Sequence, residues 1–381
     1  MRFMEIKNMR TWVEISKSAL QNNVRELHRI LTKKAEFFAV IKGNAYGHGM
    51  REIGSLLASM KEVDRLLVFT VEEGIALRKN GVKKPIVVLK NCAPYEIPAI
   101  QKHNLEVAVS SLPSLRAIAK KATKKVSVHI CVDTGLGRDG FALSESEHVI
   151  GLVHGNKKIH IVGLFTHFSG AESRSFDAYT VTQLSLLHEW RRRFADVGMH
   201  PQIHASATSG AFLGTDFHAD AVRFGIGLYG LWPSEETQAL NRSGVSLRPV
   251  LSWKARISEI KTVPVGTCIA YDCTFKTTKE TVLAVVPIGY FDGYSRALSG
   301  KSAVLVKGVR APVVGRIMMN MIVVDVSAVP HVKEGDTVTL IGKDGNEGID
   351  ITVEELASYR NTINYEIVTR INPEIPRLVV K

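Results

Sequence analysis

With 381 residues, 45% of them hydrophobic and 23% charged, the chain carries more apolar material than one domain needs and lacks the composition of a disordered chain, so two folded domains are expected. Charges interrupt the apolar residues of the N-terminus and no run of 18 apolar residues follows, which argues against a secretory signal and against a membrane span. The formal net charge of +12 would suit nucleic acid if the cations formed one stripe among aromatics, but the densest groups, Lys120-Lys121 with Lys124-Lys125 and Arg191-Arg192-Arg193, lie in amphipathic helical text; we expect no nucleic-acid partner and an attraction for anionic small molecules.

From about residue 35 short apolar runs alternate with amphipathic ones. The expected strands are AEFFAVI, RLLVFT, KPIVVLK, LEVAVSS, VSVHICVD, HIVGLFTHF, PQIHASA and AVRFGIGLYG. Helical text such as REIGSLLASM, VEEGIALRKN, LPSLRAIAKK, ESEHVIGLVHG and AYTVTQLSLLHEWRRRFADVG falls between them. Eight such strands predict an α/β fold, a (β/α)8 TIM-like barrel over residues 1–244, with a doubly wound sheet as the alternative. After that point helices nearly vanish. VLSWKARISEIK, TVLAVVPIGY, SAVLVKG, APVVGRIMMNMIVVDV and DTVTLIG predict a mostly β C-terminal domain over residues 245–381, closed by the helix ITVEELASYR and the tail INYEIVTRINPEIPRLVV. Cys92, Cys131, Cys268 and Cys273 form no CxxC pair or regular framework, which reads as a reducing cytoplasm.

The stretch AVIKGNAYGHG sets Lys42 between an apolar run and a glycine-rich bend. Solvation alone explains most such lysines. A barrel, however, builds its active site at the C-terminal ends of its strands, and a partly desolvated amine there has a lowered pKa and can form a Schiff base with a carbonyl compound. Other strand ends carry Arg138 (in TGLGRDG), His167, Ser209 (in TSG), and Arg223 followed by Gly225 and Ile226. Such a rim offers hydroxyl and N–H groups to a phosphate and cations to a carboxylate. Neither HxH at a strand end nor HExxH occurs, so no metal site is expected.

AVIKGNAYGHG, VDTGLGRDG, THFSGA, VRFGIGLYG, AYDCTF, PIGYFDGY, GRIMMN and INYEIV, in that order, resemble the pattern of the alanine racemase family from about residue 10 to the end. The resemblance implies a cofactor, pyridoxal 5'-phosphate, held by Lys42 as a Schiff base. It implies two catalytic bases on opposite faces of the substrate carbon, Lys42 and Tyr271, the tyrosine reaching the partner subunit of a homodimer. Arg223 would face the pyridine nitrogen, with His167 stacked on it or orienting it. Tyr46, Ser209, the N–H groups of Gly225 and Ile226, and Tyr365 would hold the phosphate. Arg138 and the N–H of Met319 would meet the substrate carboxylate, and Tyr290 would narrow the entrance. The implied activity is interconversion of L- and D-alanine in the cytoplasm, supplying D-alanine for peptidoglycan.

The chain departs from the family pattern at three places. Cys131 stands where many members carry a carbamylated lysine that positions the arginine matching Arg138. Asn320 replaces an acidic residue, and Asp272 follows the tyrosine where glycine is common. Two alternatives stay open: a racemase for serine or another amino acid on the same fold, and a non-catalytic pyridoxal-phosphate carrier, which would leave Tyr271 and the β domain without purpose.

Overall fold

The structure of the chain, a computed structural model, describes residues 8–344 and 349–381. A first strand, β1 (Thr11–Ser16), leads through the helix α1 (Lys17–Arg29) to β2 (Glu36–Val40), β3 (Arg65–Val68), β4 (Ile86–Val88), β5 (Glu106–Val109), β6 (Val126–Cys131), β7 (Ile159–Phe165), β8 (Gln202–His204) and β9 (Ala221–Phe224). From β2 onward each strand pairs in parallel with the next, and β9 returns to β2 with Arg223 beside Phe38, closing the barrel. Closure decides against the doubly wound sheet, which would leave β2 and β9 as unpaired edges. Phe37, Phe38, Leu66, Leu67, Val87 and Val107 are fully buried, as strands covered on both faces require. The connecting helices are α2 (Met50–Ala58), α3 (Val71–Lys79), α4 (Ile97–His103), α5 (Leu112–Lys121), α6 (Ser146–Val153) and α7 (Asp177–Ala195).

The remaining strands are β10 (Leu251–Arg256), β11 (Glu259–Val263), β12 (Cys268–Ile269), β13 (Phe275–Lys276), β14 (Thr281–Val286), β15 (Ala303–Val306), β16 (Val309–Val314), β17 (Ile322–Asp325), β18 (Thr337–Lys343), β19 (Asp350–Ile351) and β20 (Arg377–Val380). One sheet runs β11-β14-β17-β16-β15-β18-β10-β1-β20, with β19 on β18, while β12 and β13 form a separate ladder. Along β10, Leu251, Trp253 and Ala255 are buried and alternate with less buried Ser252, Lys254 and Arg256, the period of a sheet with one covered face. The run APVVGRIMMNMIVVDV divides into β16 and β17 at Gly315, whose φ of 68° suits a residue without a Cβ. Two helices, α8 (Val353–Tyr359) and α9 (Asn364–Thr369), precede β20.

The chain forms two compact units, and they interleave in sequence. The barrel unit holds Ala19–Ala45 and Ile53–Arg248; the β-rich unit holds the described residues up to Ser18, Tyr46–Glu52 and Pro249–Lys381. The expected division into 1–244 and 245–381 is a single cut, and two segments before 244 lie on the other side of it. β1 does so because its backbone completes the β-rich sheet, antiparallel to β10 (Val13 opposite Trp253) and parallel to β20 (Val13 beside Arg377). The segment after Ala45 does so because Arg377 donates to Gly47 O from Nη2 (2.9 Å) and Nε (3.2 Å). Among the described residues no helix is long and apolar enough to cross a membrane.

Candidate active site

Lys42 follows β2 at the C-terminal end of a barrel strand, and the backbone turns sharply after it. Gly43, Asn44, Ala45 and Tyr46 all take left-handed φ, from 51° to 62°. For the three residues with a Cβ this costs about 1–2 kcal/mol each. Local bonds hold the turn: Ala45 N–H donates to Ile41 O (2.9 Å) and Gly43 N–H to Glu73 Oε1 (2.9 Å). The other Glu73 oxygen accepts from Phe69 and Thr70 N–H, and the Thr70 hydroxyl accepts from Glu73 N–H, so the capping box that starts α3 also fixes the lysine turn. The Tyr229 hydroxyl donates to Val40 O (3.0 Å) from within the core. Lys42 is half-buried, its ammonium 6.0 Å from the centre of the Phe69 ring. Burial, then Arg138 and Arg223, push the Lys42 amine below its ordinary pKa.

Arg223, on β9, is 5% exposed and makes five hydrogen bonds: to the carbonyls of Thr166 (2.8 Å), His204 (2.8 Å) and Ala205 (2.6 Å), and to Nδ1 of His204 (2.9 Å) and of His167 (3.0 Å). A guanidinium only donates, so both Nδ1 atoms accept and the proton of each ring sits on Nε2. His204 Nε2 then donates to His129 Nδ1 (3.1 Å), and His129 Nε2 to Glu106 Oε2 (2.9 Å). Arg65 Nε meets the same Glu106 oxygen at 3.2 Å, and its Nη1 pairs with Glu36. A directed chain of donors therefore runs through the barrel from Arg223 to Glu106, which also accepts from Arg65. Burial and the Arg223 charge hold His204 well below the usual histidine pKa, and His167 is lowered to about 3 by burial, then by Arg223, Arg138 and Lys42. Glu106, which burial alone would raise, is held below the carboxylate range by His129 and Arg65.

Arg138 lies in a loop built by one carboxylate. Asp133 Oδ1 accepts from the N–H groups of Gly135 (2.9 Å), Leu136 (3.0 Å) and Gly137 (3.2 Å), and Tyr179 donates to Gly135 O (2.8 Å). The Arg138 side chain is exposed and pairs with Asp139 at 2.8 Å. Cys131 is buried with Ala108 and Phe165, its thiol pushed up to about 12, first by burial, so it brings no anion to Arg138. Ser209, Gly225 and Ile226 are buried in the same unit. Thr208 Oγ1 accepts from Gly225 N–H (3.2 Å) and Gly227 N–H (3.4 Å), shaping the bend before the short turn Ile226–Tyr229. Ser206 donates its hydroxyl to Phe217 O (2.6 Å).

The other expected site residues belong to the β-rich unit. The Tyr46 and Tyr365 rings lie 6.0 Å apart. Next to Tyr46 stands Gly47, at φ 82°, where a Cβ would stand 1.9 Å from Val368 O. Tyr290 and Phe291 donate their N–H groups to Met318 O (3.1 Å) and Met319 O (3.0 Å), and buried Asp292 accepts from Gly289 N–H (2.9 Å) and pairs with Arg10 (2.7 Å). Asn320 is exposed. Tyr271 is 64% exposed and sits in a short turn, Tyr271–Cys273. Here the cysteine reading is corrected: Cys268 and Cys273 are joined in a disulfide, their Cα atoms 4.8 Å apart, while Cys92 and Cys131 are free and buried. Their spacing matches no framework because the loop they close is local, and only the turn between β12 and β13 brings them together.

Several residues that shape these places escape the sequence reading: Glu73, Asp133, Thr208, Tyr229, Arg377, and the chain His204, His129, Glu106, Arg65. The histidines did leave a signal, a polar residue in the apolar text of a barrel strand, which must find a buried partner.

Family models agree with this architecture, the alanine racemase N-terminal domain matching residues 15–233 and the C-terminal domain residues 250–379. An alanine racemase of Methanococcus maripaludis is 38% identical over 375 residues, covering 96% of this chain and 98% of that protein. Among solved structures, an alanine racemase of Clostridium difficile superposes with a TM-score of 0.90 at 33% identity, covering 98% of this chain and 96% of the other. That of Bacillus anthracis with bound L-Ala-P gives 0.90 at 32%, covering 98% and 95%. With both domain models in order along nearly the whole chain, and the barrel and β-rich sheet in place, the chain belongs to the alanine racemase family of isomerases.

Proposed function

We propose that this chain interconverts L- and D-alanine with pyridoxal 5'-phosphate, using Lys42 as the base on one face of the substrate carbon and the partner subunit's Tyr271 on the other. The observation that carries the reading is Lys42 itself: a half-buried amine at a barrel strand end, its pKa lowered by burial and by two arginines. More of it is therefore neutral at physiological pH, as attack on a carbonyl and later proton capture at Nζ both require.

When bound, the cofactor supplies an electron-poor ring that acidifies the α-proton of an amino acid. The barrel unit fits such a group: a neutralisable amine, a guanidinium kept in one orientation by five hydrogen bonds, and the buried hydroxyl of Ser209 for a phosphate. Arg223 is a permanent cation, so facing a ring nitrogen it keeps a proton off that atom and moderates electron withdrawal. His167, an acceptor towards Arg223, fixes the guanidinium plane. Ile226 offers its backbone N–H to the phosphate, while Gly225, whose N–H donates to Thr208 Oγ1 (3.2 Å), Tyr46 and Tyr365 are assigned to it on the family pattern. Arg138 and the Met319 N–H take the substrate carboxylate, and Tyr290 narrows the approach. Inversion needs a proton removed at one face and returned at the other, which is the work of two bases.

Tyr271, Tyr290, Phe291, Met319 and Met321 are exposed large side chains of the β-rich unit, a surface suited to a second copy and hence to a homodimer. The reading places the enzyme in the cytoplasm, where D-alanine feeds peptidoglycan.

The test is the visible absorption of cofactor-loaded protein, with circular dichroism following L-alanine and L-serine. We expect a Schiff-base band that Lys42→Ala removes, and loss of optical activity faster for alanine than for serine. A band without racemisation would turn the reading towards a carrier, and full racemisation by Lys42→Ala would end it.

A further inference from the structure

Arg65 and Arg223 stand at opposite ends of two imidazoles. Arg223 lies near the end of β9 and donates to His204 Nδ1 (2.9 Å), while Arg65 opens β3 and donates from Nε to Glu106 (3.2 Å), which opens β5 and also accepts from His129 Nε2 (2.9 Å). His129 and His204 join at 3.1 Å, and both are fully buried. The barrel is shaped around them. The register between β6 and β7 shifts at Val128 and His129, and Gly163 lies opposite His129, where a Cβ would come within 2.1 Å of Nδ1. The Phe165 ring stacks on His204 at 5.0 Å and Phe38 meets it edge-on at 5.2 Å, so the walls of His204 are aromatic and its plane is set by packing.

A guanidinium can only donate. Two neutral imidazoles in series have one accepting end and one donating end, so by themselves they satisfy one arginine and not both. Glu106 removes the conflict. One carboxylate oxygen accepts from Arg65 and from His129 together, which keeps the accepting end of the pair, His204 Nδ1, for Arg223. Without that oxygen His129 would either bury an unmet Nε2–H or move its proton to Nδ1 and accept from Arg65 at Nε2. The second course reverses the pair: His129 Nδ1 donates to His204 Nε2, and His204 then turns an Nδ1–H on Arg223. Donor would face donor, and the guanidinium would leave its plane.

We propose that Glu106, from the far end of the barrel, sets the tautomers of His129 and His204 and through them the orientation of Arg223. It is a positioning residue, and the inference rests on Arg223 facing the cofactor ring. Every member of the set belongs to one chain's barrel, and Glu106 and Arg65 lie at strand starts, opposite the strand ends where the partner's Tyr271 is assigned.

The test is the nitrogen NMR spectrum of the histidine side chains in the cofactor-loaded enzyme, which tells Nδ1–H from Nε2–H, with turnover measured on the same samples. His129 and His204, assigned through His129→Asn and His204→Asn, carry their protons on Nε2 in the native enzyme. In Glu106→Leu the Nδ1–H form of His204 becomes the major one and kcat falls about tenfold, the order that a small misplacement of a reacting group costs, while the KM for alanine changes less than about twofold. Glu106→Gln keeps an oxygen where Arg65 and His129 converge, so both protons stay on Nε2 and kcat stays within about twofold of native. Arg65→Met is the control for a purely structural role: it breaks the ion pairs of Arg65 with Glu36 and Glu106 yet leaves Glu106 to accept from His129, so tautomers and kcat remain native. Where Glu106→Leu fails to fold, Glu106→Met, closer in shape, is read in the same way. Native tautomers in that variant would overturn the proposal whatever its kcat, and so would an Nδ1–H form of His204 with native kcat. Equal loss of kcat in Glu106→Leu, Glu106→Gln and Arg65→Met would reduce Glu106 to a structural ion pair. Arg223→Lys separates the two layers: slow Arg223→Lys beside an unaltered Glu106→Leu sinks the role of Glu106 alone, whereas native turnover by Arg223→Lys sinks the assignment of Arg223 beneath it.

Discussion

Arg223 and Tyr271 are both assigned to the chemistry, yet the fold secures them by opposite means. Arg223 is 5% exposed and held by five hydrogen bonds, two of them to histidines, of which His204 is bonded onward through His129 to Glu106. Tyr271 is 64% exposed and rides on a two-pair ladder closed by a disulfide. A buried cation must have every donor met, so its orientation is tied to the stability of the barrel. A phenol exposed on its own chain owes little to that chain's stability, and in the proposed homodimer its seat is the partner's site. Damage should accordingly appear as lost folding at the first place and as lost turnover at the second.

The largest test of that contrast is Arg223→Leu, which strands the acceptors of His167, His204 and three carbonyls. It should cost about 4 kcal/mol in urea denaturation, and a loss below about 1 kcal/mol would break the contrast. Next comes Gly47→Ala, where the new methyl meets Val368 O at 1.9 Å on left-handed backbone. About 3 kcal/mol should be lost, read by the same denaturation; a neutral outcome would mean that the Tyr46 segment is not tightly set.

Acid sharpens the barrel side. The unfolded chain protonates a histidine near 6.5, while folded His167 resists until about 3. Its contribution is therefore whole above about pH 6.5 and is lost as pH falls from there towards 3. At about pH 5 the loss is about 2 kcal/mol, with His204 acting in the same direction. His167→Asn should shrink the difference between denaturation at about pH 7.5 and about pH 5 by that amount; an unchanged difference would show that the ring is not held neutral. The smallest effect belongs to the loop: Asp272→Asn, which removes only the exposed contact to Arg316, should change stability by less than about 0.5 kcal/mol.

Much of the site was legible because it follows strand ends. Lys42, Arg138, His167, Ser209 and Arg223 all stand just after or at the ends of apolar runs, and the barrel collects such ends on one rim. His204, His129 and Glu106 were not legible, since a lone polar residue in a strand gives no hint of which neighbour answers it. The crossing of β1 into the β-rich sheet was hidden for a related reason. Pairing of Val13 with Trp253 and Arg377 joins residues separated by most of the chain, and no local pattern records it.

Local order decided the rest. By itself the sequence determined the barrel, the β-rich part and the family pattern, because apolar periodicity and glycine-marked bends depend on near neighbours. Tertiary structure alone decided the strand exchange between units, the donor chain behind Arg223, the protonated thiol of Cys131 and the Cys268–Cys273 bond. Each of these is fixed by which distant or folded-back groups share one desolvated or covalently closed space, and that is a property of the folded chain.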